Sequence, residues 1–218
     1  LNGSENELRE EFRRLLKQAV ERQMVSDVEL GAFLSSGKDS FAIVQAMQEI
    51  NKGRTTAFSM GFNNSKFDEL EGTKLSAEAL DVKLISSRMN IDVDNLLEEV
   101  MSTMQEPFAD PSGLPTYLLC KMASKHVKVV LGGDGADELL GGYEVYWANN
   151  LARWYRTIPS IVRERFIRPL VNSMPDFGGK YSFQEKAGRF MYGSKQGFGR
   201  DHSSWRVFMP AHIKKKLY

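Results

Sequence analysis

Two short segments of the sequence combine small residues, hydroxyls and acids in a way suited to phosphate and metal chemistry. The first, residues 34–40 (LSSGKDS), follows an apolar run and precedes a helical pattern. A strand-to-helix turn aims backbone N–H groups and the positive end of the helix dipole at one point, which favours an anion. Ser35 and Ser40 add hydroxyl donors, and Gly37 lets a phosphate approach the backbone closely. Asp39 suits such a site only if a cation such as Mg²⁺ accompanies the phosphates.

The second segment, residues 132–143 (GGDGADELLGGY), directly follows another apolar run. Asp134, Asp137 and Glu138 lie within five residues of one another on a glycine-rich frame. Their mutual repulsion is unfavourable unless cations or donors compensate it, which again favours Mg²⁺. In open α/β sheets, ligands bind beyond the carboxyl ends of the strands, so both segments are expected to face one crevice.

Simpler interpretations exist for each segment alone. The first also fits an ordinary Ser/Gly turn with Asp39 near a helix N-cap, and the second fits a solvated acidic loop. A Walker P-loop is excluded, because its pattern requires a Gly where Ala32 stands and a Ser or Thr where Asp39 stands.

The surrounding pattern predicts the elements that position these segments. Apolar residues recur at helical spacing, or in short strand-like runs, in alternation along the first part of the chain. The predicted strands are 28–34, 55–60, 82–85 and 127–131, and the predicted helices are 5–24, 41–50, 67–80, 93–104 and 116–125. Such alternation predicts an α/β fold with a doubly wound parallel sheet, covered by helices on both faces.

The character of the sequence changes after the second segment, where no strand pattern is found. We therefore expect a boundary near residue 145, with an α/β core at 1–145 and a helical subdomain at 146–218 that looks truncated. The aromatic residues of this part, among them Trp147 and Trp154, recur at helical spacing without a basic stripe. That spacing favours core positions over a base-stacking platform.

Composition narrows the class of protein. The 218 residues carry a formal net charge of +1, which disfavours a nucleic-acid partner. The single cysteine, Cys120, excludes an intrachain disulfide and is expected to be a small core residue. The sequence shows neither a signal peptide nor an apolar run long enough to span a membrane, so we expect a cytoplasmic protein without a membrane partner.

Taken together, the two segments resemble the synthetase domain of glutamine-dependent asparagine synthetases. These are ATP pyrophosphatases that carry an SGGxDS-type loop on an adenine nucleotide alpha hydrolase-like fold. The resemblance extends over nearly the whole chain, through FSMGF (58–62), EPFADPS (106–112) and GDGADELLGGY (133–143). It implies an ATP-dependent ligase that activates a carboxylate, aspartate being the expected one, as an acyl-adenylate with release of pyrophosphate. Ammonia then converts the adenylate to an amide.

The resemblance also implies roles for individual residues. The pyrophosphate portion of ATP would be held by four residues of the first segment, namely Ser35, Gly37, Asp39 and Ser40. Adenosine would be bordered by Leu34, Met60 and Gly133. Mg²⁺ would bind Asp39 and Asp137, and Asp134 would lie near the reacting carboxyl group and the incoming ammonia.

The sequence departs from the family pattern at several points. Ser36 stands where the family usually has a second Gly, and Lys38 where it usually has an aliphatic residue. The family's glutaminase domain, which would be a partner in the same or another chain, is missing, as is a later segment that supplies further acids and a catalytic Lys. The isolated chain is therefore expected to be inactive if it is truncated.

Three other functions remain open on the same fold. The first is a different amide ligase, such as a cyclising synthetase or a sugar amidotransferase, because the fold does not fix the acceptor. The second is a non-catalytic nucleotide-binding scaffold, against which Asp39 and Asp137 speak. The third, a tRNA-modifying ATPase, is disfavoured by the neutral charge balance. Within the loop at 106–115, Glu106 and Asp110 fit either a substrate ammonium group or a simple cap for the next helix.

Overall fold

The computed structural model describes residues 3–63, 68–89, 93–104, 106, 110, 112–174, 183–197, 199–207 and 214–216. The chain divides into two compact units, residues 1–134 and 135–218, and each is described by itself. The domain boundary near residue 145 stays a prediction. No helix among the described residues has the length and apolar character needed to cross a membrane.

The first unit alternates helices and strands along the chain. Its elements are α1 Glu5–Gln23, β1 Leu30–Phe33, α2 Lys38–Ile50, β2 Thr56–Phe62, α3 Leu70–Ala79, β3 Lys83–Met89, α4 Val93–Thr103, α5 Gly113–Ala123 and β4 Val129–Leu131. The four strands form one sheet in the order β3-β2-β1-β4. All three strand pairs are parallel, with Phe33 beside Phe58 and Ala32 beside Leu131. The predicted parallel α/β sheet is confirmed.

Helices cover both faces of this sheet, because successive strand residues point to opposite sides. On one face, Ala32 and Ala57 belong to a buried cluster with Val44 and Met47 of α2. On the other face, the fully buried Phe58 packs with Ala123 at the end of α5 and with Val127. The predicted doubly wound arrangement is therefore confirmed, with β1 and β2 as the strands buried on both sides.

Most predicted elements of the first unit lie within a few residues of the observed ones. The β3 strand extends to Met89, four residues beyond its predicted end. The α3 helix begins at Leu70 rather than at the predicted residue 67, which lies outside the described residues. Cys120 is exposed on α5, so its predicted core position is wrong.

The second unit is helical, and no strand occurs among its described residues. Its elements are α6 Ala136–Leu140, α7 Glu144–Thr157, α8 Ser160–Val162, a π-helical turn Arg163–Ile167, α9 Arg168–Asn172, α10 Phe183–Ser194 and α11 Arg200–Arg206. The five-residue α6 lies inside the segment that the glycines predicted to be a turn. Gly135 and Gly141 flank it with positive φ angles of 89° and 69°, a conformation that favours glycine.

Apolar burial is sparse in the second unit. The buried apolar residues among its described positions are Ala152, Met191 and Trp205. Trp147 is 69% exposed and Trp154 is 76% exposed, so the predicted core role of these two aromatic residues is wrong. Helical spacing places side chains on one face of a helix, but it does not supply the neighbour that would bury them.

Candidate functional site

The segment after β1 is a compact turn closed by two hydroxyl groups. The backbone N–H of Leu34 donates to the carbonyl of Phe58 at 3.0 Å, which extends the β1–β2 pairing by one residue. Ser35 and Ser40 share a hydrogen bond between their hydroxyls at 2.9 Å, and the Ser35 N–H donates to the Ser40 hydroxyl at 3.1 Å. The Gly37 N–H donates to the Ser35 hydroxyl at 3.1 Å. Neighbouring side chains therefore fix the shape of the turn.

The α2 helix starts directly after this turn, with its first N–H groups available. Gly37 is its N-cap residue, and no side chain caps it among the described residues. Asp39 lies in the first helical turn and is partly exposed, whereas Ser40 is buried. An uncapped helix start presents unsatisfied N–H donors and a partial positive charge, which together favour a bound anion.

Gly133, from the second segment, rests directly on the first turn of α2. A β-carbon at this position would lie 2.8 Å from the backbone N of Ser40 and 3.2 Å from the Cβ of Asp39. Only glycine permits so close an approach of two backbones. The first segment follows β1 and Gly133 follows β4, and these two strands are paired. The two segments thus meet at the point where the strand order reverses, which is where open α/β sheets bind ligands.

The predicted residues Asp134 and Met60 belong to two strands on either side of β1: Asp134 follows the end of β4, and Met60 lies two residues before the end of β2. Asp134 is exposed, and its Oδ2 lies 3.0 Å from the place that a β-carbon on Gly132 would occupy. Met60 is partly buried in β2, two residues beyond Phe58, whose carbonyl accepts from Leu34. Leu34 itself is 3% exposed. These residues lie at the carboxyl edge of the sheet, on the same side as the turn before α2.

Asp137 belongs to the second unit, where it lies in the first turn of α6. Its carboxylate packs against the backbone of Gly142, so closely that a β-carbon there would collide with Oδ1. The Gly142 N–H also donates to the Asp137 carbonyl at 3.0 Å. In the described part of the chain, no group of three or more His, Cys, Asp and Glu side chains forms a ready-made metal site.

Ser36 and its contacts lie on the side of the turn that faces α3. Its hydroxyl donates to Glu69 Oε2 at 3.0 Å. A β-carbon on Gly72 would lie 3.0 Å from the Ser36 Cβ, so α3 offers a residue without a side chain at the point of contact. The extra β-carbon of Ser36 is therefore accommodated against α3, and the turn is attached to that helix through Glu69.

Asp68 fixes the end of β2 to the start of α3. Its Oδ1 accepts from the backbone N–H groups of Phe62 at 3.2 Å and Leu70 at 3.3 Å, and its Oδ2 pairs with Arg88 at 2.7 Å. Burial alone raises the pKa of Asp68, but the two N–H donors and the guanidinium outweigh it, so the pKa lies below its ordinary value. This carboxylate remains charged at neutral pH and holds α3 where it meets Ser36.

Asp110 lies just before α5 and bonds to the N-cap residue of that helix, Ser112, whereas no side chain caps α5 among the described residues. Its Oδ1 accepts from the Ser112 N–H at 2.9 Å, and this bond, the largest influence, lowers the pKa of Asp110. Both interpretations of Asp110, a helix cap and a contact with a substrate ammonium group, stay predictions. Glu106 is exposed, and residues 107–109 and 111 of the same loop lie outside the described residues.

Comparison with known proteins places this architecture in a family. The model of the family described as "Asparagine synthase" matches residues 11–208, which cover both segments and both units. The chain belongs to the asparagine synthase family. The predicted fold class, a doubly wound parallel α/β sheet of the adenine nucleotide alpha hydrolase-like type, agrees with this membership.

Individual members of the asparagine synthase family are similar over most of the chain. "Asparagine synthetase [glutamine-hydrolyzing] 1" from Bacillus subtilis is 37% identical over 164 residues, which cover 75% of this chain and 26% of the relative. A putative asparagine synthetase from Methanocaldococcus jannaschii is 37% identical over 159 residues, 71% of this chain and 30% of the relative. The chain therefore spans about a quarter of the length of the curated relatives it matches.

Among solved structures, an NH3-dependent NAD synthetase from Campylobacter jejuni is similar at 18% identity and a TM-score of 0.42. The alignment covers 62% of this chain and 60% of that chain.

The sequence patterns did not reveal the residues at the start of α3 that support the turn at residues 34–40. Glu69 and Gly72 contact Ser36, and the sequence patterns above point to neither of them. Ser36 itself indicates such a contact, because a side chain at a position usually occupied by glycine needs space next to another element. What the sequence does not state is which helix provides that neighbour.

Proposed function

We propose that this chain forms the ATP-binding part of an amide-forming ligase. The observation that carries the proposal is the contact between Gly133 and the first turn of α2, since it joins the two segments at the carboxyl edge of the sheet. The asparagine synthase family membership supports the same function. The activity of the whole protein is part of the proposal, because the chain spans about a quarter of its relatives.

The turn before α2 fits the phosphates of ATP. The α2 start offers N–H groups that no side chain caps among the described residues, and Gly37 leaves room beside them. Ser35 and Ser40 are proposed to keep the turn in shape and to donate to the pyrophosphate portion. Leu34, Met60 and Gly133 are proposed to border the adenosine, since Leu34 and Gly133 follow β1 and β4 and Met60 lies near the end of the adjacent β2.

Mg²⁺ is the proposed metal, with Asp39 and Asp137 as its ligands. A carboxylate at the start of a helix suits a hard cation that accompanies phosphate, because oxygen ligands are those that Mg²⁺ prefers. When bound, the ion would neutralise the charge that develops on the leaving pyrophosphate. The position of Asp39 supports this proposal, because Asp39 is partly exposed in the turn on which Gly133 rests.

The proposed reaction has two steps. A carboxylate oxygen of the substrate attacks the α-phosphorus of ATP, and the bond from that phosphorus to the bridging oxygen breaks and releases pyrophosphate. Ammonia then attacks the acyl carbon, AMP leaves, and one proton is released. Asp134 is proposed to orient the ammonia or to accept that proton, since it is an exposed carboxylate next to Gly133. The N–H donors at α2 stabilise charge on the leaving group by being fixed in advance.

The acceptor and the ammonia source are further parts of the proposal. The relatives are named asparagine synthetases, and several carry the description "glutamine-hydrolyzing". We accordingly propose an aspartate-like carboxylate as substrate and a glutaminase domain as the supplier of ammonia. In the natural protein, aspartate-dependent exchange of labelled pyrophosphate into ATP tests the first step, and exchange that requires a different carboxylate would reassign the acceptor.

Calorimetric titration of ATP into this chain, with and without Mg²⁺, tests the binding step. We expect Mg²⁺-dependent binding that Asp39→Ala and Asp137→Ala each weaken by about tenfold or more, which corresponds to about 1.4 kcal/mol. Asp27→Ala is the matched control, because Asp27 is an exposed acid of the first unit outside the turn.

Two results would count against the proposal. Binding that is indifferent to Asp39→Ala would remove the metal role from the turn. Equal losses in Asp39→Ala and Asp27→Ala would show a general charge effect rather than a site. Loss in Asp39→Ala alone, with Asp137→Ala unchanged, would keep the phosphate site and remove Asp137 from the metal.

A further inference from the structure

A cavity of about 410 Å³ lies in the second unit, in a region to which the proposed ligase function assigns no role. It is formed where the end of α7, the start of α8 with the π-helical turn, and the end of α10 meet. We name it the Arg163 cavity, and the residues that line it include Arg156, Ser160, Arg163, Glu164, Ser194 and Lys195. All of them belong to residues 135–218.

Two hydrogen-bond donors at this cavity are buried and unpaired. Arg163 Nε and the Ser194 hydroxyl have no hydrogen-bond partner among the described residues. Ser194 is 2% exposed, so its hydroxyl lies away from bulk solvent. Buried donors without partners are rare in native proteins, and each calls for an explanation such as a bound group.

The charges around the cavity leave Arg163 as the cation without a counter-charge. Arg156 pairs with the buried Asp201, and Lys195 pairs with Glu164 at 2.6 Å. Arg163 forms no ion pair with any described residue, and its guanidinium lies 5.3 Å from the ring centre of Tyr155. A guanidinium has donors and no acceptor, so the partner that Arg163 Nε lacks must be an acceptor, and an anion fits its charge.

The second donor is held in place by the same polar network. Arg156, fixed by Asp201, donates from Nε to the carbonyl of Ser194 at 3.1 Å. Ser194 is the last residue of α10, and this contact fixes its backbone at the rim of the cavity. Arg163 begins a π-helical turn, a feature found mostly as single turns and frequently at functional sites.

We propose that the Arg163 cavity binds a small oxyanion, the phosphate or carboxylate group of a small molecule. Arg163 Nε and the Ser194 hydroxyl donate to its oxygens. The guanidinium of Arg163 supplies the positive charge that no described residue balances. An oxyanion satisfies both requirements at once, because it supplies several acceptor oxygens and a negative charge. A metal cation is unsuited to the same place, since three of the lining side chains are cationic and one, Glu164, is acidic.

Nuclear magnetic resonance of protein with isotope-labelled arginine gives a direct test, because the Nε–H resonance of Arg163 reports on the hydrogen bond that this group donates. Inorganic phosphate and acetate are titrated separately at constant ionic strength, and the resonance is assigned from its loss in Arg163→Lys. We expect a saturable movement of this resonance with one of the two anions, and the anion that causes it identifies the ligand class. Ser194→Ala should weaken the affinity by about tenfold, the effect of one lost hydrogen bond to a charged group.

Two controls separate this site from the proposed ATP site and from general charge. Arg165→Lys alters an exposed arginine of the same π-helical turn that does not line the cavity, and it should leave the affinity unchanged. Ser40→Ala should weaken phosphate binding at α2 and leave the movement of Arg163 Nε–H intact. The backbone amide spectrum of Ser194→Ala shows whether that variant keeps the fold, and Ser194→Thr, which keeps a hydroxyl, should retain binding if Ala does not.

No movement of the Arg163 resonance with either anion at saturating concentration would overturn the proposal. Titration midpoints that are equal in the natural protein, Ser194→Ala and Arg165→Lys would also overturn it, because they would show charge screening rather than a site. Loss of ATP binding with an intact Arg163 response would instead contradict the ligase proposal alone.

Discussion

The two units of the chain are stabilised in different ways. The first buries apolar side chains on both faces of a parallel sheet, as Ala32, Ala57 and Phe58 illustrate. The second buries little apolar surface and is joined by ring contacts and by charge, such as the Phe190–Trp205 stack and the Arg156–Asp201 pair. Burial can be predicted well from the sequence for a strand that must be covered on both sides. The same prediction is less reliable for a helix that packs on one face only.

The largest difference in stability between matched variants of the two units is expected when one aromatic residue in each is replaced by alanine. Phe58→Ala should destabilise the first unit by about 3–5 kcal/mol, because it empties a fully buried position between α5 and the sheet. Trp154→Ala should change stability by less than about 0.5 kcal/mol, since its side chain is 76% exposed. Urea unfolding followed by circular dichroism measures both. Similar losses in the two variants would show that Trp154 is covered in solution.

A smaller effect is expected when the charge network of the second unit is cut. Asp201→Ala leaves Arg156 without its buried partner and should cost about 1.5–3 kcal/mol, the range for a hydrogen bond to a charged group. Tryptophan fluorescence measures this unit selectively, because Trp147, Trp154 and Trp205 all lie within it. Glu144→Ala, which removes an exposed pair with Lys186, is the matched control and should change stability by less than about 1 kcal/mol.

The same pair predicts a pH dependence. Burial raises the pKa of Asp201, but Arg156 and the His202 N–H outweigh it, so the folded pKa lies below the unfolded value of about 3.9. The contribution of Asp201 is therefore complete above about pH 4 and is lost as the pH falls through the lower folded value. The stability gap between the natural protein and Asp201→Ala should narrow only below about pH 4. A gap that narrows near pH 6 would contradict this assignment.

In the first unit, a single added methyl group should act on binding more than on stability. Gly133→Ala places a β-carbon 2.8 Å from the Ser40 backbone N. We expect a loss of stability of about 1 kcal/mol, at the lower end for overpacking because a loop can shift. The affinity for Mg²⁺-ATP should fall by about tenfold or more, because the proposed site is displaced with it. Gly53→Ala, a glycine with no neighbour within 4 Å but with positive φ, controls for backbone strain alone.

A smaller effect than that of Gly133→Ala is expected at Ser36. Ser36→Gly removes an exposed hydrogen bond to Glu69 and should cost about 0.5–1 kcal/mol. Glu69→Gln keeps an acceptor and should cost less. Thermal unfolding and ATP titration measure the two consequences. If Ser36→Gly instead strengthens ATP binding while stability falls, the hydrogen bond to Glu69 at the start of α3 holds the turn in a shape that is less favourable for ATP.

The strands of the first unit, and the positions of the two segments that follow β1 and β4, can be predicted from the sequence. The strands β1 and β2 must be buried on both sides, so their residues are nearly all apolar or small. The two segments directly follow β1 and β4, which are paired in the sheet. That placement was sufficient to predict that residues 34–40 and Gly133 meet. The roles of Asp134, Met60 and the two metal ligands stay predictions.

The remainder depends on contacts between residues distant in sequence. Glu69 and Gly72 support Ser36 from more than 30 positions away, and nothing in their local spacing indicates it. Trp147 and Trp154 share one face of α7, yet spacing alone does not show that this face is uncovered. The short α6 was missed because its glycines, which flank it in left-handed conformation, are also those of a turn.

The pairing of β1 with β4 has a consequence for the order in which the molecule assembles. Leu30 pairs with Val129, so roughly a hundred residues of chain must be closed into a loop before the two strands meet. The β1–β2 and β2–β3 pairs join neighbours in sequence and require much shorter closures. During synthesis, the ribosome must release the chain beyond Gly133 before the crevice exists at all. A ligand of that crevice therefore binds only once β4 has paired with β1, and it stabilises the completed sheet rather than a sheet of β1, β2 and β3 alone.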